Sequence, residues 1–78
     1  MPLYYFDLRD GDALIPDEEG VELTTLDAAH DEAARALTDM AKDDVRAGRP
    51  TCSLGIEVRG QLGPVLLVKF SFEIKRLE

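Results

Sequence analysis

The chain has 78 residues, 45% of them hydrophobic and 32% charged, with sixteen acids against nine bases and a formal net charge of −7. That length makes one domain spanning residues 1–78, and a surface so acidic repels phosphate backbones, which argues against nucleic-acid binding. Cys52 is the only cysteine, so no intramolecular disulfide can form and a reducing, cytoplasmic setting is expected.

Leu3 to Leu8 reads LYYFDL. Tyr4, Phe6 and Leu8 fall on one side of a period-two pattern and Tyr5 and Asp7 on the other, which predicts a first strand. Asp10-Gly11 is a favoured two-residue hairpin turn, so the chain is expected to return through Ala13, Leu14 and Ile15. Pro16 opens a second turn, PDEEG, which Gly20 can close in the left-handed region. A short extended piece, Val21 to Leu23, leads on.

Thr24 and Thr25 are both helix N-cap candidates, and Thr24 with Asp27 approximates a capping box. On a helical wheel Leu26, Ala29, Ala33, Leu37 and Met40 share one stripe, with His30 at its flank. Asp31, Arg35, Asp39, Lys42 and Arg46 fill the opposite face. Gly48 sits where a C′ glycine belongs and Pro50 blocks continuation, so the predicted helix covers about residues 25–47. The remaining segment alternates on either side of GQLGP as a second hairpin. Cys52, Leu54, Ile56 and Val58 point inward, and Leu66, Val68, Phe70, Phe72 and Ile74 do the same on the return. The expected fold is α+β, in the order ββαββ, with one amphipathic helix packed on one face of a small antiparallel sheet. The two most apolar strands, the N-terminal and C-terminal ones, are expected together in its middle.

Asp7 to Gly20 places six carboxylates in fourteen residues. An EF-hand loop needs oxygen ligands at alternating positions; starting at Asp7 puts Arg9 and Gly11 there, and starting at Asp10 puts Leu14 and Pro16 there. The stretch therefore reads first as a turn, and second as an acidic docking surface formed by Asp10, Asp12, Asp17, Glu18 and Glu19. His30 has no second histidine to work with, and is expected to shield the helix–sheet seam. Cys52 sits on the inward phase of its strand and reads as a small buried hydrophobe. Neither GxGxxG nor GxxxxGK[ST] occurs. No catalytic, cofactor-binding or metal residue is assigned.

One helix covers one face of a four-stranded sheet. The other face is expected to carry Leu3, Tyr5, Val65 and Leu67 beside Lys69, Glu73, Glu57 and Arg59, an apolar patch suited to a homodimer. The longest apolar run, Val65 to Val68, is far too short to span a membrane.

The order MPLYYFDLRDGD, IPDEEGVEL, LDAAHDEAARAL and GIEVRG…PVLLVKFSFEI resembles a family of short alpha-proteobacterial, including rhizobial, proteins classed as a domain of unknown function. The resemblance covers essentially the whole chain and implies no activity, cofactor or catalytic residue. In pattern alone the chain is similar to HicB-type antitoxins. The expected function is a non-enzymatic cytoplasmic interaction module. The alternatives are an antitoxin-like neutraliser of a basic partner and a weak metal-dependent enzyme using Asp10, Asp12, Asp17 and His30.

Overall fold

A computed structural model describes residues 2–78. In chain order these form β1 (Leu3–Asp10), β2 (Ala13–Ile15), β3 (Val21–Glu22), α1 (Leu26–Arg46), β4 (Thr51–Gly60) and β5 (Gly63–Glu73). All the pairings are antiparallel, and the sheet runs β2-β1-β4-β5, with β3 also pairing β1. The fold is α+β as expected, but three strands precede the helix, not two. The piece at Val21 gains a ladder because Leu3 and Tyr4 lie opposite Glu22 and Val21.

The strand order corrects a second expectation. β1 and β4 hold the centre and β5 lies at the edge. Apolarity was a poor guide because β5 owes its hydrophobic residues to packing beside the helix, whereas β4 follows the helix directly and enters the sheet between β1 and β5.

Thr25 caps the helix, its hydroxyl accepting from Ala28 N–H at 3.1 Å, and Gly48 takes φ +81° just past the end. Ala29, Ala33, Leu37 and Ala41 are the buried helix residues. Their spacing of four puts three alanines in a row with Leu37, so the helix lies close on β4. Leu26, placed in the stripe by the wheel, is instead largely exposed at the helix start. Cys52, Leu54, Ile56 and Val58 complete the buried cluster, flanked by Tyr4, Phe6, Leu8, Leu66, Val68, Phe70 and Phe72. The inward phases of β1, β4 and β5 are thus as read, except that Ile74 lies beyond β5 and is exposed.

Candidate interaction surfaces

On the face turned away from the helix, Asp7 and Glu57 stand directly opposite each other on β1 and β4. Two like charges in that position repel, and each is answered by an arginine. Arg59 Nε donates to Asp7 Oδ2 at 2.7 Å, and Arg9 Nη2 donates to Glu57 Oε2 at 2.9 Å. The Arg59 guanidinium also lies 4.5 Å from the centroid of the Tyr5 ring, its cross-strand neighbour, a cation–π contact.

Among the described residues Asp7 is the one buried charged residue. Asp17 reaches it from the acidic loop, donating its backbone N–H to Asp7 Oδ1 at 2.9 Å, while its carbonyl accepts from Arg59 Nη2 at 3.1 Å. The Asp17 carboxylate accepts from Phe6 N–H at 3.1 Å and from the N–H groups of Glu19 and Gly20. Phe6 lies between the part of β1 paired with β2 and the part paired with β3. Asp17 therefore supplies the acceptor that a strand would supply there. The hydrogen bond from Arg59 is the main cause holding the Asp7 carboxyl below its ordinary range, and the Phe6 N–H does the same for Asp17. Asp17 is thus built into the sheet edge, whereas Asp10, Asp12, Glu18 and Glu19 remain exposed. The Asp-x-x-Gly spacing marked the turn; the hydrogen bond to Phe6 and the ion pair with Arg59 depend on a strand register that no local pattern carries.

Of the expected apolar patch, Leu67 is exposed and Leu3 and Tyr5 are half-buried. Gly20 approaches so closely that a Cβ there would stand 3.1 Å from both Leu3 and Tyr5. Val65 is displaced by a bulge where β4 and β5 shift register at Val58 and Arg59. A Cβ on Gly60 would meet Val65 at 3.6 Å and Tyr4 at 4.0 Å, so Val65 stands on the side of inward-facing Tyr4, not beside Leu67. Bulges commonly turn a side chain in this way. Lys69 is exposed.

His30 does not shield the seam: it is exposed and its Nδ1 lies 3.2 Å from Asp31 Oδ1. Cys52 is buried, as expected, with its thiol donating to Asp44 Oδ2 at 3.4 Å; burial first, and Asp44 second, push the thiol's pKa up. A thiol so held is a poor nucleophile. Among the described residues no three His, Cys, Asp or Glu side chains stand together as a metal site, and no helix is long and apolar enough to cross a membrane.

The sequence reading did not anticipate the surface beside β5. An open groove of about 630 Å³ runs between the C-terminal half of α1 and that strand, floored by Leu37, Ala41, Val45, Val68 and Phe70, with Lys42 on its rim. Ile74 donates its N–H to the Pro50 carbonyl at 2.8 Å. By the alternation of an antiparallel ladder, Phe72, Phe70 and Val68 also aim their backbone groups at β4. Leu67, Lys69, Ser71 and Glu73 aim theirs out of the sheet.

No curated protein and no solved structure matches the chain. A family model described as Domain of unknown function (DUF6894) matches residues 3–71, and the chain belongs to that family.

Proposed function

We propose that the protein is a non-enzymatic interaction module of the cytoplasm that binds by adding a strand to its β5 edge. The observation that carries this reading is the pairing of outward backbone groups on an eleven-residue edge strand with an apolar groove beside it. Natural edges are usually shortened, covered or heavily charged; β5 carries only Lys69 and Glu73 as charges. Main-chain hydrogen bonds along such an edge supply affinity, and the groove supplies selectivity for apolar side chains. The buried Cys52 thiol and the exposed His30, which meets only the neighbouring Asp31 carboxylate, favour binding over catalysis.

The test is crosslinking mass spectrometry on tagged protein in native lysate, comparing the wild type with Lys69→Pro. Proline at this position removes an outward N–H and spares the ladder to β4. Crosslinks to β5 and the groove are expected in the wild type and lost in the variant; crosslinks that persist unchanged refute the reading.

A second reading, antitoxin-like neutralisation of a basic partner, draws on the exposed Asp10, Asp12, Glu18 and Glu19, held in place through Asp7, Asp17 and Arg59. It predicts salt-sensitive binding of a basic polypeptide that is lost when those four acids are replaced by their amides.

A further inference from the structure

Resting on the reading of β5 as a binding edge, we infer that its occupant is the β5 strand of a second copy of this chain, related by a two-fold axis through Ser71. An antiparallel pair of identical strands places each residue opposite the one equally far from the axis on the partner. With the axis at Ser71, Lys69 of each copy faces Glu73 of the other, twice over. Among two-fold axes centred on a residue, Ser71 alone produces that match. An axis at Lys69 or Glu73 sets a charge against itself, and one at Phe72 sets Lys69 against Lys75.

The same axis matches the helix-side face. Phe70 falls opposite Phe72 and Val68 opposite Ile74, each pair occurring twice. Aromatic pairs are among the favourable cross-strand combinations, and Val68 with Ile74 buries apolar surface. Phe70 and Phe72 already stack within the strand at 6.5 Å between centroids, so four rings would form one two-by-two cluster across the two strands. Ile74, 57% exposed in the single chain, would lie beside Val68 at the groove. Glu73 is now 3.5 Å from Lys75, a wholly superficial pair, and exchanging it for Lys69 of the partner costs little.

The size of the molecule agrees. The chain exposes 5773 Å², against about 4,700 Å² for a compact monomer of its mass. Its radius of gyration is 14.1 Å, where a compact domain of this length has about 11–12 Å. The surplus is about 1,000 Å² per chain, comparable to the roughly 800 Å² that each partner contributes to an ordinary stable interface. The outer face is the weaker alternative. The Asp7–Arg59 and Arg9–Glu57 pairs already occupy it, and covering them would require desolvating the charges of Arg9, Glu57 and Arg59 as well as that of the already buried Asp7.

The experiment is sedimentation velocity from micromolar to several hundred micromolar, with circular dichroism to verify the fold of each variant. The wild type is expected to reach twice 8.6 kDa. Lys69→Glu and Glu73→Lys, each of which creates two like-charge pairs, are expected to weaken the dimer on the order of tenfold, and the double variant to restore it. Ser71→Pro, which removes the outward N–H groups at the axis, is expected to abolish it.

A monomer at every concentration overturns the inference; the edge reading then stands or falls on its own crosslinks. A dimer indifferent to both charge variants overturns the register. A dimer that survives Ser71→Pro lies on the face rather than the edge and overturns it too.

Discussion

Asp17 is the residue on which the acidic hairpin depends. Its carboxylate accepts from three backbone N–H groups, so Asp17→Ala strips an acceptor from Phe6 in the middle of β1. A loss of about 1–2 kcal/mol in chemical denaturation is expected. Asp7 and Asp17 are both held below the ordinary 3.8. The folded chain therefore releases these protons more readily than the unfolded one, and the stabilisation is complete above that ordinary value. As the pH falls below it and through the lower folded values, the stabilisation is lost. Thermal midpoints should drop steeply below about pH 4, and less steeply in Asp17→Asn. At Gly20, φ is +76° and a Cβ would press on Leu3 and Tyr5, so Gly20→Ala is expected to cost about 1–2 kcal/mol. Gly11 also has positive φ, but nothing lies within 4 Å of its Cβ position, so Gly11→Ala should cost less, as a paired melt would show.

At the scale of elements, the alanine row of α1 sets the distance between helix and sheet. Ala33 is fully buried against the sheet, and Ala33→Leu is expected to destabilise by about 1–3 kcal/mol by lifting the helix. An equal or higher melting temperature would mean the seam has room. The amphipathic period and both glycine stops were legible in the sequence, and the observed helix, Leu26–Arg46, lies within one residue of the expected span. β3 was not legible as a strand. Two residues carry no period of their own, and Val21 and Glu22 become a strand only because β1 offers them unpaired backbone groups.

For the whole molecule, the order β2-β1-β4-β5 predicts a gradient of amide protection. β4, paired on both sides from Leu54 to Arg59, should exchange slowest there. The Phe6 amide should exchange slowly despite facing no strand, because Asp17 accepts from it. The β2 and β3 amides should open first, since those strands are only three and two residues long and exposed throughout. On β5, Phe70 and Phe72 should be protected at every concentration. Lys69 and Ser71 should become protected only as the protein is concentrated, if the second copy seats there; equal protection of all four in dilute solution would contradict the backbone phase assigned to the edge.

The sequence by itself determined the pieces whose cause is local. Side-chain alternation set the inward phases of β1, β4 and most of β5, threonine and glycine marked the ends of the helix, and Asp-x-x-Gly marked the loop at Asp17. Tertiary structure decided what depends on residues far apart in the chain. The bulge at Val58 and Arg59 turned Val65 away from Leu67. The β1–β4 register brought Arg59 to Asp7 across fifty-two positions. The helix lay over β4, leaving β5 at the edge with a groove beside it. Strand order and register are global because a strand can satisfy its backbone with any neighbour; the choice falls to whichever pairing lets one alanine row and one set of crossed ion pairs close together.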